Sequence, residues 1–299
     1  MVAIDILGVP HTYELSPPLS KSSQDVLVFI HGWLLSRQYW APLVEQLSIN
    51  NRCLTYDLRG FGDSQPNHSD NLKKLASLQN PDYPNDNLNK YTLATYAQDL
   101  SILLHKLRID RAWLVGHSLG GSIALWGAKL IPKQVQGVIC LNSGGGIYLK
   151  EEFERFRAAG KQLVKHRPSW LKYMPLVDLI FSRIMVESPL SSYWGRQRLI
   201  DFTAADPQAA LGALLDSTTE EEVHLLPQIV SCLKQPVYFL AGSKDKVMEP
   251  RYVHHLASFH KLFGNCGDNV IEIPECGHMS MLEKTDRVAS EIKTILRNH

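Results

Sequence analysis

Ser118 stands between Gly116 and Gly120 in Trp-Leu-Val-Gly-His-Ser-Leu-Gly-Gly-Ser, the run from Trp113 to Ser122. An apolar strand reaches the serine and a helix leaves it. Small neighbours let strand and helix approach closely, so the turn holds the hydroxyl outward as a nucleophile. The amides at the start of the following helix then point at the place where charge would develop on a bound carbonyl oxygen. A serine hydroxyl is a weak nucleophile until a base takes its proton, and that base needs a third group to fix its tautomer. Both partners have candidates further along the chain. Pro236 to Ala241 reads as a buried strand ending in a turn that carries Asp245, the expected orienting carboxylate. Asn269 to Ile273 reads as another strand, leading through Pro274-Glu275-Cys276-Gly277 to His278, the expected general base.

The elements that must position these groups alternate between strand and helix, which predicts an α/β fold with a mainly parallel sheet covered on both faces. Strands are expected at Val26–Ile30, Arg52–Tyr56, Ala112–Val115 and Gln136–Leu141, with a helix over Ser118–Leu130. The reactive groups all fall at carboxyl ends of strands, where open α/β sheets bind ligands. Two stretches break the rhythm. Gln65 to Lys90 is polar and rich in asparagine and proline, and reads as a long surface loop. Residues 147–226 form the second. Helical patterns run over Lys150–Lys165, Met174–Val186, Tyr193–Phe202 and Pro207–Leu215, and together would roof the pocket over Ser118.

Taken together, the strand-end motifs resemble the α/β-hydrolase superfamily over nearly the whole chain. His31-Gly32-Trp33, after the Val26–Ile30 strand, is similar to that family's oxyanion loop, and Asp57-Leu58-Arg59-Gly60-Phe61-Gly62-Asp63-Ser64 to its Asp-x-x-Gly-x-Gly-x-Ser turn. The order Ser118, Asp245, His278 is that of the family's triad. The resemblance implies a helical cap at residues 147–226, inserted into a core of residues 1–146 and 227–299, and a serine hydrolase that cleaves a carboxylic ester or related acyl bond through an acyl-enzyme. It implies an oxyanion hole formed by the backbone amides of Trp33 and Leu119. His31 and His117 are candidates for lining the substrate pocket, His31 with the alternative of bonding within its own turn. Locally, His31 to Trp40 is similar to the opening of arylesterases and cofactor-free haloperoxidases. Serine at 118 argues against the dehalogenase and epoxide-hydrolase branches, which need aspartate there.

Two other readings share these residues. A lyase resembling the menaquinone-pathway cyclohexadiene carboxylate synthase would use a similar triad to abstract a proton, and its polyanionic substrate would need arginines. Arg37, Arg155, Arg157, Arg196 and Arg198 are available, but no spacing ties them to Ser118. A hydrolase-fold ligand sensor would keep the pocket with little turnover.

The resemblance implies a small-molecule substrate, an ester and partly apolar, as the partner. The 299 residues, 44% of them hydrophobic and 20% charged, are enough to bury a sizeable core, and the net charge of +1 gives no reason to expect nucleic acid. No metal or organic cofactor is implied. The five cysteines are widely spaced, without a metal-ligand pattern, and Cys276 is singled out by its place two residues before His278. No secretory signal is visible at the N-terminus and no apolar run approaches the roughly 20 residues that span a bilayer, so the expected location is the cytoplasm. Lys150 to Lys172 holds seven Lys or Arg residues against three glutamates. It reads either as a basic amphipathic face that rests peripherally on an anionic membrane or as an ordinary solvated helix face.

Overall fold

The computed structural model describes residues 2–17, 25–65, 91–146, 150–264 and 268–299. Eight strands form one sheet: β1 Val2–Ile6, β2 Val9–Leu15, β3 Val26–Ile30, β4 Arg52–Tyr56, β5 Ala112–His117, β6 Val135–Leu141, β7 Val237–Gly242 and β8 Val270–Ile273. Their spatial order is β1-β2-β4-β3-β5-β6-β7-β8. β1 and β2 form an antiparallel hairpin, β2 pairs antiparallel with β4, and every other pairing is parallel. This is the α/β-hydrolase fold.

The central strands are apolar on both faces because helices cover both. β3 is buried at all five positions. Val26, Val28 and Ile30 enter one core cluster while Leu27 and Phe29 enter the other, as the two-residue period of a strand requires. One face is covered by α2 (Leu93–Lys106) and α3 (Leu119–Leu130), the other by α1 (Ala41–Leu47) and the C-terminal helix. α2 starts where the Thr92 side chain accepts from the Thr95 amide, a cap that satisfies one orphan donor of the first turn.

Between β6 and β7 the chain builds α4 (Lys150–Lys165), a 3-10 turn Ser169–Tyr173, α5 (Val177–Phe181), α6 (Ser192–Ala204), α7 (Pro207–Ser217) and α8 (Glu220–Cys232). α4 occupies the range expected for it. The helix expected over Met174–Val186 is only the five residues of α5, because Pro175 interrupts the chain and Leu176 and Met185 hold left-handed backbones at φ 66° and 64°. Residue 226, where the insertion was expected to end, lies inside α8, whose Val223, Leu226, Ile229 and Val230 are buried against the core. Three glutamates in the first turn of α8 suit the positive end of its dipole. After β7 come α9 (Pro250–Ala257), α10 (Ser280–Glu283) and α11 (Thr285–Arg297).

The segment read as a long loop, Gln65 to Lys90, lies outside the described residues from 66 onward, as does Cys266. No helix of the described residues is long and apolar enough to cross a membrane.

Candidate active site

Ser118 has φ 51° and ψ −118°, a backbone disfavoured for any side-chain-bearing residue, at the junction of β5 and α3. The junction leaves no room for side chains on either side. A Cβ on Gly116 would lie 2.2 Å from the Gly120 carbonyl oxygen, and one on Gly120 would lie 2.1 Å from that of Ile30. The Gly-x-Ser-x-Gly spacing therefore reflects contact between β5, α3 and β3, and the serine carries the strain.

His278 and Asp245 meet across the ends of β8 and β7. His278 Nδ1 donates to Asp245 Oδ2 at 2.7 Å, and both side chains are buried. The other carboxylate oxygen accepts from the amides of Val247 at 2.8 Å and Met248 at 2.9 Å. Burial works to raise the pKa of Asp245, but its interaction with His278 and these hydrogen bonds prevail and hold it below its ordinary value.

Ser118 and His278 line one cavity of about 450 Å³. Its floor includes Trp33, Leu119 and Ser143 from the strand ends, and its walls include Phe153, Phe156 and Leu163 of α4, Phe202 of α6 and Leu214 of α7. α4 thus presents to the cavity the apolar side expected from its sequence. Trp33 and Leu119, the expected oxyanion residues, both border this space. The Trp33 indole N–H donates to the Ala210 carbonyl at 2.8 Å and ties the loop after β3 to α7.

The two histidines expected in the pocket part company. His117 lines it, and its ring lies 4.8 Å from that of His278, centroid to centroid. His117 Nε2 donates to the His278 carbonyl at 2.7 Å, which leaves Nδ1 buried, deprotonated and without a partner among the described residues. Burial, assisted by His278, lowers its pKa to about 3. His31 is not among the residues that line this cavity. It is fully buried, with Nε2 accepting from the Leu58 amide at 2.9 Å and Nδ1 donating to the Gly32 carbonyl at 2.8 Å. It joins the loop after β3 to the turn after β4, and burial lowers its pKa.

That turn is anchored by Asp57. Its carboxylate accepts from the Arg37 amide at 2.6 Å, the Arg37 guanidinium at 2.5 Å and the Asp63 amide at 2.9 Å. Of the arginines considered for an anionic substrate, Arg37 is thereby committed to Asp57, Asp63 and Glu14. Arg157 caps carbonyls at the end of α7 and Arg196 donates to the Lys172 carbonyl, while Arg155 is exposed. Arg198 alone of the five borders the cavity, where Nη1 donates to the carbonyls of Phe181 at 2.5 Å and Ile184 at 2.6 Å. Burial lowers its pKa.

Two residues beside His278 and Asp245 carried no sequence motif. Asn142, just after β6, donates from Nδ2 to Asp245 Oδ2 at 2.9 Å and to the Gly277 carbonyl at 3.0 Å. Glu283 accepts from the amides of Gly277 at 3.0 Å and Met279 at 3.1 Å, on either side of His278, and from Glu187 at 2.8 Å. Its position five residues after His278, on α10, was the one available signal. Cys276 is fully buried, and burial pushes its thiol up to about 12, so it is an inert packing residue. Among the described residues, no three His, Cys, Asp or Glu side chains group to hold a metal ion.

Residues 25–285 match the family model of the alpha/beta hydrolase fold. The chain belongs to that family. Among curated relatives, it is 26% identical over 274 residues to the dihydrolipoyllysine-residue acetyltransferase component of an acetoin cleaving system from Pseudomonas putida. That match covers 91% of this chain but only 64% of the longer relative. It is also 26% identical over 284 residues to the 2-succinyl-6-hydroxy-2,4-cyclohexadiene-1-carboxylate synthase of Serratia proteamaculans, covering 91% of this chain and 93% of that one. Among solved hydrolase folds, a thermophilic esterase from Thermogutta terrifontis superposes over 100% of this chain and 99% of its own, with TM-score 0.73 and 20% identity.

Proposed function

We propose that this hydrolase-fold protein cleaves carboxylic esters through an acyl-enzyme formed on Ser118. The observation that carries the reading is the buried His278–Asp245 hydrogen bond beside Ser118 in one largely apolar cavity. With Nδ1 donating to Asp245, neutral His278 presents Nε2 as the base. It takes the Ser118 proton as Oγ attacks the ester carbonyl, and Asp245 stabilises the imidazolium. The backbone amides of Trp33 and Leu119 hold the oxyanion, Leu119 being the first residue of α3. Collapse of the intermediate expels the alcohol with the proton from Nε2. Water, deprotonated by His278, then releases the acid. Helices α4 to α7 act as a cap whose phenylalanines select a partly apolar acyl group.

The test is covalent labelling by a fluorophosphonate, read by mass spectrometry on the intact protein, followed by hydrolysis of p-nitrophenyl esters of graded chain length. Label on Ser118, absent in Ser118→Ala, with turnover lost in the same variant, supports the reading. A folded protein that neither labels nor hydrolyses any ester overturns it and favours a ligand sensor, whose ligand response would survive in Ser118→Ala.

Arg198 favours a second reading, in which the substrate carries an anionic group, as the lyase alternative requires. Its guanidinium borders the cavity with no carboxylate partner among the described residues. Arg198→Met would then raise KM for a dicarboxylate monoester while sparing a neutral ester of equal length. Equal effects on both would leave Arg198 as a cap for the end of α5.

A further inference from the structure

The outer surface of the insertion is unlike the rest of the molecule. Among the described residues sixteen large apolar side chains are exposed, and eleven of them lie between Leu163 and Ile200. Trp170 is 57% exposed, Tyr173 74%, Leu176 69% and Ile180 58%. A monomeric surface rarely concentrates apolar groups in this way without a binding role. Leu176 is the plainest case. It occupies a left-handed backbone at φ 66° and points its side chain into solvent, so neither conformational preference nor burial accounts for a leucine there.

The same stretch is cationic. Residues 161–198 contain seven Lys or Arg against two acids, Asp178 and Glu187, in a chain of net charge +1. Lys161, Lys165, Arg183 and Arg196 are exposed, and the Lys172 ammonium lies 5.2 Å from the centre of the Tyr173 ring. Aromatic and aliphatic groups among basic ones match the chemistry of an anionic lipid interface, where ring and chain enter the acyl boundary and ammonium groups meet phosphate. The face is also continuous with the cavity. Leu163, Ile184 and Met185 are each 40% exposed or more and each line the space that holds Ser118.

We propose that the surface from Ser169 to Met185 docks on an anionic phospholipid layer and turns the mouth of the cavity toward it, so that lipid-soluble esters enter without crossing water. Docking itself requires no chemistry at Ser118. The choice of an ester as what enters rests on the proposed function above. α4 turns Phe153 and Phe156 inward to the cavity, and the apolar groups left facing solvent include Trp170 and Tyr173 on the 3-10 turn and Leu179 and Ile180 on α5.

Sedimentation of the full chain with vesicles of phosphatidylcholine alone, and of phosphatidylcholine mixed with phosphatidylglycerol, tests the proposal at low and high salt. The expected result is binding at least about tenfold tighter to the anionic vesicles, weakened by salt. Binding should fall about tenfold in Leu176→Ser/Ile180→Ser and in Lys172→Glu/Arg183→Glu, and stay unchanged in Ser118→Ala. A blue shift of tryptophan emission on binding should be lost in Trp170→Phe. Failure to sediment, equal binding to neutral vesicles, or binding by the variants equal to that of the unaltered chain would overturn it. A mass by light scattering that doubles with concentration, and returns to one chain in Leu176→Ser/Ile180→Ser, would also overturn it and assign the face to a second copy. Fluorophosphonate labelling without vesicles, in both the unaltered chain and Leu176→Ser/Ile180→Ser, monitors the acyl-enzyme reading separately, so either proposal can fail alone.

Discussion

Asn142 donates to the same oxygen of Asp245 that receives the His278 ring: 2.9 Å from the amide and 2.7 Å from Nδ1. With the amides of Val247 and Met248 on the other oxygen, these bonds hold the Asp245 carboxylate against His278. The Asn142 backbone is left-handed, φ 49°, a conformation asparagine tolerates better than most residues.

Asn142→Gly keeps that backbone accessible and deletes only the side chain. A lost hydrogen bond to a charged group is worth about 1.5–3 kcal/mol, so kcat on a soluble ester should drop about tenfold or more while KM holds. Steady-state kinetics on p-nitrophenyl acetate would check this. A KM effect alone would make Asn142 a wall residue.

Glu283 holds the two amides flanking His278 and those of Glu187 and Ser188, while the His278 amide itself donates to the Met185 carbonyl at 2.9 Å. Glu283→Ala leaves four donors without their acceptor. We expect a loss of about 2 kcal/mol, seen as a Tm lower by several degrees, together with slower turnover. Glu283→Gln, which keeps a carbonyl oxygen, should recover part of both.

Asp201 on α6 is buried, accepts from the Ser36 hydroxyl at 2.9 Å and from Gln197, and has its pKa raised by burial to about 7. A carboxyl that binds its proton more tightly when folded stabilises the fold below its unfolded pKa, and that contribution is lost as pH rises from about 4 through 7. Asp201→Asn, which cannot ionise, should therefore gain Tm over the unaltered protein at pH 8 and not at pH 5. A gain equal at both values would refute the titration.

His117 runs the other way. Its folded pKa, about 3, lies below the ordinary 6.5, so the unfolded chain binds the proton first and stability falls as pH drops through that window. His117→Gln retains an amide donor toward the His278 carbonyl and removes the titration. Thermal melts from pH 7 to 4 should show a shallower decline for the variant, by about 1.4 kcal/mol per pH unit for one group.

What the sequence determined by itself was local. Val26–Ile30 and Arg52–Tyr56 are strands with the ends read from their apolar runs, and Ser118 sits in the strained turn that its glycines announced, since both depend on neighbours within a few residues. Asp245 and His278 were legible for the same reason, each closing a strand with a short polar turn. Tertiary packing decided the rest. It gave Asn142 to Asp245 from 103 positions away and turned His31 from a pocket candidate into a buried tie to Leu58. It also chose Arg198 among five arginines to border the cavity, and left Trp170, Leu176 and Ile180 in solvent, which their apolar character does not disclose. Hydrophobic pattern says which residues avoid water, but which surfaces meet is settled only when distant segments compete for the same space.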